Sequence, residues 1–311
     1  MSTPTGLLTV ADPALHKIVP ASAAIEQLAS GFGFAEGPIW MRDGQLAFSD
    51  IPNNSIFRWN PENGVVSLLR KPSGYDGQDA PQGAFIGSNG LSLDGAGRLV
   101  VCEHGNGRVS RIEHDDSLTV LVSRFEGKRL NSPNDLVYHS SGDLYFTDPP
   151  YGFVKLDEDP KKELSFNGIY RLRDGVLELL HRDLTRPNGL LFSPDEKTFF
   201  VANSDRARKI WMRFDVTAQG TLAGGSIFAD VTAETDAGLP DGMKVDVEGT
   251  LYCTGPGGVW VFRPDGKLLG KIHFPEIPAN LHWGDADAQT LYVTARTSLY
   301  RIRLNVPGIR P

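Results

Sequence analysis

Cysteine is scarce in this chain of 311 residues: Cys102 and Cys253 are the only two. That is too few for a disulfide framework, and each stands inside an apolar run, which predicts two reduced thiols in the core. No cluster of Lys and Arg occurs and the formal net charge is −7, so nucleic acid is not an expected partner. No run approaches the ~20 apolar residues of a membrane-spanning helix, and no membrane association is expected. Met1–Pro20 has neither a basic leading region nor an apolar core of about 7–15 residues, so no signal peptide is expected and a cytoplasmic location is. A Gly-x-Ser-x-Gly elbow is missing, which argues against a serine hydrolase. Gly31–Gly37 resembles a dinucleotide loop only in composition, because its glycine spacing is wrong and no βαβ unit surrounds it.

What is present is a globular composition, 40% hydrophobic and 22% charged, with 34 Gly and 21 Pro to supply tight turns. Length alone would suggest about two domains of ~150 residues. A repeat overrides that expectation. An acidic or amide residue stands before a short apolar run at Glu36, Asn89, Asn134, Asn188, Asp241 and Asn280, with spacings of 53, 45, 54, 53 and 39 residues. Turns and β-rich segments follow each anchor. A period of that size with four short strands per copy predicts an all-β, six-bladed propeller in one domain. We place an N-terminal extension at 1–24 and the propeller at 25–311.

Blade two shows the pattern in full: Gly90–Leu93, Arg98–Glu103, Arg108–Glu113 and Leu118–Val122, separated by Gly, Asp and Asn turns. Blade six ends at Ser298–Arg303 without a fourth strand. Ile25–Phe34 is expected to supply it, joining the chain ends and removing an open sheet edge. One short helical piece is expected near Ala21–Ala29. Two segments exceed what a turn requires: Lys71–Ser88, between blades one and two, and Gly152–Asn167, between the second and third strands of blade three. Strand alternation puts both on the face that carries the anchors, where sites and lids tend to lie.

In a propeller, equivalent positions of every repeat meet at the axis. Glu36, Asn134, Asn188 and Asp241 then offer two carboxylates and two amide carbonyls, a hard oxygen set suited to one divalent metal. Ca²⁺ is the expected occupant, with Mg²⁺, Mn²⁺ and Zn²⁺ as alternatives; no Cys/His cluster has zinc-site spacing. The bland alternative is that Asn-Gly and Asp-Gly are turn dipeptides and nothing more. Recurrence in six copies, with Glu36-Gly37 and Asn134-Asp135 among them, favours the ring. Asn89, His104, Tyr151 and His282 are the remaining candidate substrate contacts.

Several motifs together resemble the gluconolactonase / senescence marker protein 30 / luciferin-regenerating enzyme family. They are Ala35-Glu36-Gly37-Pro38, Ser132-Pro133-Asn134-Asp135, Phe146–Gly152, Arg186-Pro187-Asn188-Gly189-Leu190, Leu239–Met243 and Leu291-Tyr292-Val293-Thr294, within a resemblance running from about Phe34 to Leu304. The family's metal ligands match Glu36, Asn188 and Asp241. Asn134 matches a position that contacts substrate in some members and metal in others. Ser132 stands where animal sugar-lactone-binding members often carry Arg, and the Asp148–Gly152 turn is similar to bacterial-type gluconolactonases. The resemblance implies hydrolysis of a lactone, a sugar lactone such as gluconolactone first. The metal would polarise the carbonyl and Asp241 would assist water attack. Phosphotriester or fluorophosphate cleavage at the same site, and a non-enzymatic, metal-stabilised binding propeller, are the alternatives.

Overall fold

The structure, a computed structural model, describes residues 7–81 and 83–310. Six antiparallel sheets stand around a central channel. Blade 1 runs Ala35–Trp40, Leu46–Asp50, Ser55–Trp59 and Val66–Arg70, from the axis outward. Blade 2 comprises Ser88–Leu93, Leu99–Glu103, Arg108–Ile112 and Leu118–Val122, and blade 3 Leu136–Tyr138, Leu144–Asp148, Gly168–Arg173 and Val176–His181. Blade 4 comprises Pro187–Phe192, Thr198–Asp205, Arg208–Val216 and Leu222–Asp230. Blade 5 has Met243–Val245, Leu251–Gly255, Gly258–Phe262 and Leu268–Ile272, and adds Leu8–Val10 as a fifth, outermost strand. Each inner strand touches the inner strands on both sides, and that of blade 6 touches that of blade 1, so the ring closes.

Blade 6 has Pro278–Gly284, Thr290–Ala295 and Ser298–Arg303, and its outer strand is Glu26–Ser30, as the missing fourth strand required. The helix expected near Ala21–Ala29 does not form. Half of that segment is the closing strand instead, because pairing with Ser298–Arg303 satisfies a row of backbone groups that a lone helical turn would leave exposed. The helix that exists is shorter and earlier, Leu15–Ile18, with Leu15, Ile18 and Val19 buried against blades 5 and 6. No helix of the described residues is long and apolar enough to cross a membrane.

The second strands read as continuous apolar runs because both their faces are covered by neighbouring blades: Leu99–Glu103 and Leu251–Gly255 are buried throughout. The core is accordingly a set of wedges between blades. Ile39, Ala47, Leu91 and Val101 fill one wedge, and Leu190, Phe192, Tyr145 and Ile169 another. Cys102 and Cys253 are free, buried thiols within these strands.

The anchors sit at a repeated irregularity. In blade 1 Glu36 faces Ser49, then Ile39 faces Ala47; in blade 2 Ser88 faces Glu103, then Leu91 faces Val101; in blade 4 Pro187 faces Asn203, then Leu190 faces Val201. Each inner strand carries one residue more than its partner there, a β-bulge that re-aims a side chain toward the channel. The turn reading of Asn-Gly therefore fails at Asn89-Gly90 and Asn188-Gly189, which lie within inner strands. The glycine has another task. A Cβ on Gly189 would stand 2.3 Å from the Asp241 carbonyl oxygen, and one on Gly37 2.1 Å from that of Asn89. Glycine after the anchor lets adjacent inner strands approach backbone to backbone. Hydroxyls of the second strands fasten the same seam: Ser49 Oγ donates to Asn89 O at 2.8 Å and Thr147 Oγ1 to Asn188 O at 2.9 Å.

Candidate active site

One end of the channel opens into a cavity of about 540 Å³, the size of a small-molecule site. Glu36, Asn89, Asn134, Asn188, Asp241 and Tyr151 line it together, with His104 and Ser204 beside them. Five of the six anchors thus meet in one place, from five different blades. Both long segments reach the same opening, Lys71–Ser88 through Phe85 and Gly152–Asn167 through Phe153 and Val154.

The amides form a directed chain. Asn89 Nδ2 donates to Asn134 Oδ1 at 2.7 Å, Asn134 Nδ2 to Asn188 Oδ1 at 2.6 Å, and Asn188 Nδ2 to Ser204 Oγ at 2.8 Å. Ser204 Oγ in turn donates to the Pro240 carbonyl, next to Asp241. Every amide orientation is thereby fixed, and the oxygens of Asn134 and Asn188 each keep a free lone pair. Glu36 accepts the Gly37 N–H through Oε2 at 2.7 Å.

The carboxylates carry the electrostatic signature. Burial pushes Glu36 up to about 7, opposed by the Gly37 hydrogen bond and reinforced by Asp135. Burial, with Glu36 and Asp135 adding repulsion, pushes Asp241 well above the usual carboxylate range. Three buried carboxyl groups so placed and without an ion-pair partner favour a positive charge among them. Among the described residues no group of three or more His, Cys, Asp and Glu converges as a metal cluster. The set is mixed, two carboxylates with amide oxygens, and its donor chemistry fits a hard divalent cation better than a soft one.

His104 is buried, and burial lowers it to about 4, so the ring is neutral near pH 7. Its Nδ1 lies 3.2 Å from the Phe85 carbonyl. Its Nε2 stands between Asn89 Nδ2 and Asn134 Oδ1, 3.2 Å from each. Tyr151 is pushed above its ordinary range by burial and by Asp241, and its hydroxyl, beside Ser204 and Asn188, keeps its proton.

Two expected residues lie elsewhere. His282 does not line the cavity: its Nδ1 is 2.7 Å from the Trp283 carbonyl, and burial lowers it to about 3. Asn280, the sixth anchor, is not among the cavity-lining residues but still meets the others at the axis, donating to Asp135 Oδ2 at 3.4 Å and hydrogen-bonding Glu36. In blade 6 the register shift falls before Asn280.

Sequence reasoning missed three contributors. Asp135 occupies the slot that is glycine in four other copies, and that departure was the available signal. Ser204 ends the amide chain and had none. Ser132 donates to the Pro149 carbonyl and accepts the Gly152 N–H at 2.9 Å, so its hydroxyl pins both ends of the turn that carries Tyr151. A Cβ on Gly152 would lie 2.8 Å from the Ser132 Cβ, so no larger side chain fits there without moving the turn. We expect Ser132→Ala to cost about 1–2 kcal/mol of stability and roughly tenfold in kcat/KM, through Tyr151. Parental kinetics in a folded variant would show that the turn needs no such pin.

Fold and site together define a six-bladed propeller with a carboxylate–amide ring at the mouth of its channel. The chain belongs to the SMP-30/Gluconolactonase/LRE-like region family, whose model matches residues 34–297. It is similar to the gluconolactonase of Zymomonas mobilis, 40% identical over 315 residues that span 97% of this chain and 87% of that one. A solved gluconolactonase from Xanthomonas campestris has a TM-score of 0.83 at 34% identity, covering 96% of this chain and 94% of the other. Regucalcin from Agrobacterium tumefaciens, at 21% identity and a TM-score of 0.74, over 93% of this chain and 96% of that one, shares the fold alone.

Proposed function

We propose that this chain is a lactonase that opens a sugar lactone such as gluconolactone, with one divalent cation, Ca²⁺ first, held by Glu36, Asn134, Asn188 and Asp241. The reading rests on the pair of buried carboxyl groups within an oriented amide ring at the floor of a ligand-sized cavity. Kinship with gluconolactonases supports the substrate class. A bound cation supplies charge stabilisation at the lactone carbonyl oxygen. Asp241 takes a proton from the water that attacks the carbonyl carbon, and returns it to the ring oxygen as the C–O bond breaks. The product is the open hydroxy acid. Asn134 and Asn188 hold the ring's geometry, Tyr151 donates to a substrate oxygen, and Asn89 and His104 stand at the wall that a substrate hydroxyl meets.

Cation binding and pH are linked with a definite sign. Glu36 is raised from 4.5 to about 7 in the folded chain. Its contribution to stability is therefore full below about pH 4.5 and is lost as pH rises through about 7. Without cation the protein should lose thermal stability over this window, and Ca²⁺ should restore it. Calcium affinity should rise with pH across the same window, by up to about tenfold per unit for each proton displaced. Calorimetry at several pH values reads both effects, and pH-indicator assays of gluconolactone with and without chelator read the activity. Affinity independent of pH, or full turnover in chelator, would overturn the cation assignment; a panel of lactones left intact would overturn the lactonase reading.

A further inference from the structure

The cavity is polar only at its floor. The rest of its wall, which reaches the surface at Val154 and Leu156 and forms the rim, is apolar and includes Phe34, Phe85 and Phe153, and no Lys or Arg is among the described residues that line it. The hydroxyls of a bare sugar lactone would find partners below, in Asn89, His104 and Tyr151, and none above. A phosphorylated or sulfonated sugar would find no Lys or Arg among the lining residues to pair with its charge.

The rim is held in place. Phe34 and Phe85 meet edge to face with ring centroids 5.1 Å apart. The Arg129 guanidinium lies over the Phe153 ring, 5.0 Å from its centroid. Val154 is 67% exposed and Leu156 38%, apolar side chains in an otherwise charged segment. Leaving them open to water has a cost that an apolar ligand would remove. The cavity is also larger than one six-membered ring fills.

We propose that the rim is a second, apolar subsite, and that the enzyme takes lactones bearing an alkyl or aryl substituent remote from the carbonyl. The ring occupies the floor and the substituent lies along Phe85, Phe153, Val154 and Leu156. This rests on the lactonase reading above, and adds the class of substituent. It is continuous with the floor, so one molecule spans both.

The test uses the full chain with Ca²⁺ and two matched series. The first is 6-alkyl-2-piperidones from methyl to heptyl, lactams that keep the ring and carbonyl of a δ-lactone while resisting hydrolysis; their binding is read by calorimetry. The second is the corresponding δ-lactones, read by acid release. Affinity should tighten about threefold for each added methylene until the rim is filled. Val154→Ser and Leu156→Gln, both at exposed positions, should each flatten that dependence. Affinity independent of chain length would overturn the subsite, and an unaltered slope in both variants would overturn its placement. Lactams that bind with the expected slope while no lactone is hydrolysed would overturn the lactonase reading and leave the subsite standing.

Discussion

Alanine at Asp241 is expected to lower lactone turnover by about 10³-fold, the range for loss of a positioned proton acceptor. The effect should fall on kcat and kcat/KM together, because the missing group acts on the attacking water. Calcium affinity should drop as well, since the same carboxylate is a proposed ligand. A structural role alone would predict a lost fold, but stability should move the other way without cation. Asp241 is a buried carboxyl group raised by desolvation, by Glu36 and by Asp135. Its stabilising contribution is full below about pH 3.8 and is lost as pH rises. Asp241→Asn should therefore raise the thermal midpoint of the cation-free protein at neutral pH and change it little near pH 4. Parental turnover in Asp241→Ala would sink the assignment of Asp241 as base and ligand.

Gly189→Ala should be strongly damaging although it adds a single methyl. The added Cβ would meet the Asp241 carbonyl oxygen at 2.3 Å and the Gly242 Cα at 2.7 Å. Both are backbone atoms of the next blade's inner strand, and neither can swing aside as a side chain can. Overpacking of this kind costs about 3 kcal/mol, a fall of roughly 5–10 °C in Tm. Activity should fall further than stability explains, because moving the Asp241 backbone displaces its carboxyl group from the amide ring. Gly95→Ala is the control: nothing lies within 4 Å of its Cβ, and the expected change is within about 0.5 kcal/mol. Equal effects of the two substitutions would refute the close-approach account.

The anchors were legible because a propeller repeats. Glu36, Asn134, Asn188 and Asp241 recur at one point of successive copies, and symmetry alone carries them to a common axis. Asn280 satisfied the same pattern and meets Asp135 at the axis without lining the cavity, while His282, chosen only for its chemistry, is turned to the Trp283 carbonyl. Ser204 gave no signal and Ser132 only a departure from the family pattern, since their roles depend on contacts with Pro240 and Pro149 that no local pattern encodes. Ala21–Ala29 reads as helix locally, and its second half is a strand because Ser298–Arg303, remote in sequence, needs an outer partner.

Sequence by itself determined the architecture, the closing strand, the family resemblance and the chemical types at the channel mouth. The first two and the last follow from the repeat and from composition, and the resemblance from particular motifs, all of which are written along the chain. Only the tertiary structure decided which oxygens face one another, which carboxyl groups are driven toward protonation, and how apolar the entrance is. Those properties arise from burial and direction, and both are set by neighbours that the chain brings together only when the ring has closed.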